Sequence, residues 1–144
     1  MTKSIIYQCL KEGDFILHSG QKSKYLFDTM ELIRNEDFLE EFYEFIGNDF
    51  VVGIEFGGAI LAAMNSGYQG KFAVIRKDGT IYGSLIPKKF VLLDDVVTTE
   101  NSIRTAAKLL SNIGHCYNKV KCIVDRRNKE NKLLHIESML ECNK

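Results

Sequence analysis

The sequence predicts an α/β fold, with a parallel sheet flanked by helices. Three observations carry this. Short apolar runs at 50–54, 72–75, 90–93 and 120–124 alternate with stretches whose apolar residues recur at helical spacing. The run at 90–93 leads into Asp94-Asp95, then Thr98-Thr99, then a helical pattern from about residue 101, which describes a strand, a tight loop and a helix start. One proline, Pro87, and no low-complexity tract leave no interdomain linker, so the 144 residues read as a single domain with a real core.

Taken in order, residues 3–11 read as a short amphipathic helix stopped by Gly13. Residues 15–18 form a strand, Ser19-Gly20 a turn, and 24–27 a returning strand. Met30, Ile33, Phe38, Phe42, Phe45 and Ile46 predict one helix over 30–46, ended at Gly47. Its phenylalanines are core, and Glu36, Asp37, Glu40, Glu41 and Glu44 are its solvated face. Residues 50–54 are a strand, Gly57-Gly58 a sharp turn, 59–64 a small-residue helix and 72–75 a strand. Residues 76–89 lack periodicity and carry Gly79, Gly83 and Pro87, which predicts a mobile loop. A strand at 90–93, a helix at 101–113 capped by Gly114, and strands at 120–124 and 133–136 complete the chain.

Crossovers of this kind are right-handed, and ligands bind beyond the carboxyl ends of the parallel strands. Three segments converge there: 55–58, 94–102 and 125–127. A helix N-terminus presents free N–H groups and a positive dipole end to phosphate. Two carboxylates beside it suit ribose hydroxyls or a hydrated Mg²⁺. The ligand so described has a sugar, a phosphate and a metal. In isolation Gly57-Gly58 is a turn, Arg76-Lys77 and Arg126-Arg127 are wet surface, and Asp94-Asp95 is a helix cap; their neighbours give them the functional reading.

Composition excludes several classes. Nineteen Lys plus Arg balance nineteen Asp plus Glu, which argues against a nucleic-acid or anionic-membrane binder. No signal-peptide pattern and no apolar run of membrane-spanning length is present, so the expected location is the cytoplasm. Cys9, Cys116, Cys122 and Cys142 lack CxxC spacing and a His cluster, which makes free thiols the default over zinc. His115 and His135 have no partners the sequence can name.

The Asp-Asp-x-x-Thr-Thr pattern at 94–99 resembles the phosphoribosyl-pyrophosphate (PRPP) signature of type I phosphoribosyltransferases. Residues 13–28, with Ser19-Gly20, Ser23, Tyr25 and Asp28 in register, are similar to the amino-terminal motif of orotate phosphoribosyltransferases. Residues 52–62 resemble that family's pyrophosphate loop, 72–77 the strand entering its catalytic loop, and 124–127 its late orotate-contacting segment. Five segments in order cover most of the chain.

The resemblance implies a type I phosphoribosyltransferase-like sheet with a small N-terminal hood (about residues 1–30 plus the C-terminal segment) and a mobile loop at about 77–89. It implies transfer of the 5-phosphoribosyl group of PRPP to orotate, giving orotidine 5′-monophosphate and pyrophosphate. Asp94 and Asp95 would hold the ribose hydroxyls. Val97, Thr98, Thr99, Glu100, Asn101 and Ser102 would cradle the 5′-phosphate. Phe56, Gly57, Gly58 and His18 would face pyrophosphate, with Arg76 and Lys77 reaching in from the partner of a homodimer. Leu26, Phe27 and Arg126 would meet the base. Mg²⁺ would be held mainly by PRPP, with no direct protein ligand.

The departures are specific. Thr80 and Tyr82 stand where the family's loop has Lys and His, the loop is short before Phe90, and His18 replaces a Lys. Glu100 replaces Gly or Ala, and a carboxylate within ~5 Å of a bound phosphate would weaken it. These leave open another base, or a PRPP- or nucleotide-sensing module with little turnover.

Overall fold

The computed structural model describes residues 2–17 and 20–142. His18, expected near pyrophosphate, lies outside the described residues. Helix α1 (Thr2–Gln8) buries Ile6 and stops before residue 11, because the chain turns at Cys9 and enters β1 (Leu10–Ile16). A two-turn helix is marginal alone, and Leu10 and Lys11 instead pair antiparallel with Phe27 and Leu26 of β2 (Lys22–Phe27). The register shifts between Glu12 and Phe15, so Gly13 sits at a strand irregularity and does not end a helix.

The single helix expected over 30–46 is divided. Thr29–Arg34 form a 3₁₀ turn, and α2 (Glu36–Ile46) follows. Asn35 causes the break: it is extended, and its side chain accepts the Phe38 N–H at 3.0 Å as an N-cap. Phe38, Phe42 and Ile46 then lie on one buried face.

β3 (Val51–Ile54) leads through a cis Glu55–Phe56 peptide bond into α3 (Gly57–Ser66). Gly57 and Gly58 are therefore the first residues of a helix, not a free turn. A Cβ at Gly58 would overlap the Leu93 carbonyl, so glycine lets α3 start against the neighbouring strand. β4 (Phe72–Ile75) returns antiparallel through β5 (Ile81–Gly83), inside the stretch where an irregular loop was expected; residues 84–89 carry no helix or strand, as expected. Residues 76–80 form a closed turn: the Arg76 N–H donates to Thr80 O at 3.0 Å and the Thr80 N–H to Asp78 Oδ1 at 2.8 Å. Ile81 and Tyr82 favour the pleated edge this creates.

β6 (Val91–Val97) runs beyond 93, carrying both acids inside the strand; α4 (Asn101–Asn112) and β7 (Lys119–Asp125) follow. The last strand is β8 (Glu137–Glu141), not 133–136. The Leu133 and Leu134 N–H groups are committed to the Glu100 carboxylate at 2.8 Å each, which removes them from any ladder. The C-terminal segment thus forms the edge of the main sheet rather than part of the hood.

The sheet order is β5-β4-β3-β6-β7-β8, parallel except for β5, and β1-β2 form a separate hairpin. Alternation along the strands splits the core. Val51, Val91 and Leu93 pack with α2 and α3 on one face, while Val52 and Leu92 pack with Ile103, Ala106 and Leu110 of α4 on the other. No helix among the described residues is long and apolar enough to cross a membrane.

Candidate active site

Parallel pairing of β3 with β6 and of β6 with β7 brings their carboxyl ends to one cavity of about 330 Å³. Asp94 and Asp95 stand in its wall. Asp94 Oδ1 accepts the Asp95 N–H at 2.9 Å, and Asp95 Oδ1 accepts the Val96 N–H at 2.8 Å. Asp95 Oδ2 accepts the hydroxyl of Thr29 at 2.8 Å. Burial, then the neighbouring Asp95 charge, pushes the Asp94 carboxyl well above the ordinary carboxylate range. Gly57 completes the enclosure, since a Cβ there would overlap the Asp95 carboxylate.

Val97, Thr98, Thr99 and Ser102 line the same cavity where β6 passes into α4. The Asn101 N–H donates to Thr99 Oγ1 at 3.2 Å, and the Arg126 N–H donates to Val97 O at 2.7 Å, tying the ends of β6 and β7. On the far side Leu26, Phe27 and Arg126 line it. The Arg126 guanidinium donates to Tyr25 O and to Ser23 Oγ, both at 3.2 Å, and lies 5.6 Å from the centroid of the Phe27 ring. Burial lowers its pKa.

Phe56 is 63% exposed and lines the cavity, whereas Gly58 is buried beneath Leu93. Arg76 and Lys77 line a separate cavity of about 360 Å³, with Asn101 and with Ser102, which borders both. Arg76 Nε pairs with Glu55 Oε2 of the same chain at 2.8 Å. A hydrogen bond with Tyr82, then the Glu55 charge, raises the Arg76 pKa.

Glu100 sits in a network the sequence does not show. Its side chain is 6% exposed; it does not line the 330 Å³ cavity but borders a neighbouring one of about 750 Å³ with Thr98, Thr99 and Asn101. Oε2 accepts from Arg127 (2.6 Å) and from the Leu133 and Leu134 N–H groups, and Oε1 accepts from Arg104 at 2.8 Å. Arg127 also donates to both oxygens of Asp125 at 2.8–2.9 Å. Both carboxylate oxygens are thus engaged by donors of the protein itself.

Sequence reasoning missed Ile16, Leu17 and Val96 in the cavity wall, and Thr29 behind Asp95. Thr29 follows the motif residue Asp28, but no spacing announces a contact across 66 positions. Among the described residues no three His, Cys, Asp or Glu side chains gather into a metal cage.

No protein-family model matches the chain. It is 34% identical over 137 residues to the orotate phosphoribosyltransferase of Thermoplasma volcanium, covering 87% of this chain and 82% of that one. It is 31% identical over 130 residues to that of Picrophilus torridus, covering 81% and 78%. The crystal structure of orotate phosphoribosyltransferase from Aeropyrum pernix superposes with a TM-score of 0.78 at 23% identity, covering 98% of this chain and 94% of that one. With identities above 30% sustained over most of both partners, and with acids, hydroxyls and guanidinium meeting at one sheet edge, the chain belongs to the orotate phosphoribosyltransferase family.

Proposed function

We propose that this protein transfers the 5-phosphoribosyl group of PRPP to orotate, forming orotidine 5′-monophosphate and releasing pyrophosphate. One observation carries the reading: Asp94, Asp95, Thr98, Thr99, Ser102, Gly57 and Arg126 border a single cavity. Asp95 and Asp94 hold the ribose hydroxyls, and Asp95 stabilises positive charge developing on the sugar. Thr98, Thr99, Ser102 and the amides opening α4 receive the 5′-phosphate. Arg126 meets the pyrimidine carboxylate or carbonyls, with Phe27 and Leu26 as the wall. Phe56 and Gly57 border the pyrophosphate, with Arg76 and Lys77 reaching in from the partner of a homodimer as its cations.

With no cage of carboxylates among the described residues, a hard cation here would be held mainly by the diphosphate. Mg²⁺ there would neutralise leaving-group charge. The protein's own part is to orient the two reactants and surround the reacting carbon with fixed charge.

The test is the loss of orotate absorbance with PRPP and Mg²⁺. PRPP-dependent consumption is expected; none at high enzyme concentration would overturn the assignment. The closed five-residue turn at 76–80 favours a second reading, a PRPP sensor with little turnover. Calorimetric PRPP binding without product from any base would select it. Gly57→Ala offers a geometric check. Its methyl displaces the Asp95 carboxylate, so kcat/KM for PRPP should fall about 10²-fold, as ångström misplacements do, with the far-ultraviolet spectrum unchanged.

A further inference from the structure

We propose that Thr29 is a positioning residue, holding the Asp95 carboxylate in the one orientation that can grip the pentose. The inference rests on the phosphoribosyl-transfer reading and concerns a residue outside every segment given a role above. Thr29 opens the 3₁₀ turn after β2, is 4% exposed, and donates its hydroxyl to Asp95 Oδ2 at 2.8 Å. The other carboxylate oxygen accepts the Val96 N–H at 2.8 Å, and Gly57 closes the remaining side so tightly that a Cβ would overlap the carboxylate. Two elements distant in sequence and the next residue of β6 therefore fix one rotamer.

That rigidity matters because electrostatic stabilisation depends on groups already aimed where charge will develop. A hydroxyl–carboxylate bond in a buried setting is a strong one. It also makes the hood part of the site. Strand β2 contacts Arg126 through Tyr25 O and Ser23 Oγ, and the turn that follows contacts Asp95 through Thr29. The base-facing cation and the ribose-facing acid are thus registered against one segment.

The test compares Thr29→Val, Thr29→Ser and wild type in steady-state kinetics, PRPP calorimetry with Mg²⁺, and thermal unfolding. Thr29→Val keeps the shape and loses the donor. It should lower kcat about tenfold, as loss of one hydrogen bond to a charged group does. KM for orotate should stay unchanged, because the base is held elsewhere. Thr29→Ser should restore kcat. Thr29→Ala, which cannot overpack, carries the same readout if the valine variant does not fold.

Unchanged kcat with only a lower melting temperature would overturn the proposal, as would a serine variant no better than valine. Wild type that neither binds PRPP nor consumes orotate would overturn the proposal and the function together. An active wild type with a silent Thr29→Val would sink the role of Thr29 alone.

Discussion

Asp95→Asn is expected to lower kcat/KM for PRPP-dependent orotate consumption by about 10²–10³-fold, whereas Asp94→Asn should cost no more than about tenfold. The asymmetry follows from their surroundings. Asp94 is 7% exposed, and burial with the adjacent Asp95 charge drives its carboxyl toward the neutral form. Asparagine reproduces that neutral group and can still accept the Asp95 N–H. Asp95 is half-buried in the cavity wall, where under the proposed reaction it would face a forming ribosyl cation.

Paired acids in unlike environments divide their roles in this way. A buried acid with a raised pKa also destabilises the fold once pH exceeds its unfolded value, because the native state resists ionisation. Asp94→Asn should therefore raise the urea midpoint at neutral pH. Equal kinetic losses in the two variants would contradict the division.

The second large effect concerns stability. Glu100→Ala should cost about 3–5 kcal/mol, as removal of one partner from a buried ion pair does, lowering Tm by more than about 10 °C. The variant leaves the Leu133 and Leu134 N–H groups without their acceptor and Arg127 with Asp125 as its remaining carboxylate. The same network gives a pH signature. Burial opposes ionisation of Glu100, but the Leu134 N–H, Arg104, the Leu133 N–H and Arg127 outweigh it and bring the carboxyl from 4.5 down to about 2.

A depressed acid stabilises the fold fully above its unfolded value and loses that contribution as pH falls through the folded one. Stability should thus decline between about pH 5 and pH 2 by a few kcal/mol, and Glu100→Gln should flatten the decline. Urea midpoints measured across that range check it. A wild-type curve parallel to that of Glu100→Gln would refute the role of Glu100.

How much the sequence discloses depends on range. The β6–α4 junction was legible because everything that defines it is contiguous: an apolar strand, two acids, two threonines, then helical spacing. So was the face of α2, where Phe38, Phe42 and Ile46 repeat at the helical period. Asn35 hid in plain view, since its neighbours keep that period while its own side chain caps a second start. Residues 10–11 carry helical spacing, yet pairing with β2 decides them. The shift of the last strand from 133–136 to 137–141 turns on a carboxylate 33 residues away. Glu100 itself looked hostile to phosphate because its partner Arg127 is visible only in three dimensions.

The brevity of the β4–β5 connection reaches into chemistry. Five residues, out and back, extend less than about 9 Å from the sheet edge, and here they are folded on themselves by their own hydrogen bonds. Residues 76–80 by themselves are too short to roof the cavity. Under the proposed reaction, bulk solvent reaching the activated sugar past them would let hydroxylic attack compete with the incoming nitrogen. Fidelity would then rest on how firmly Arg126 and Phe27 retain the ring.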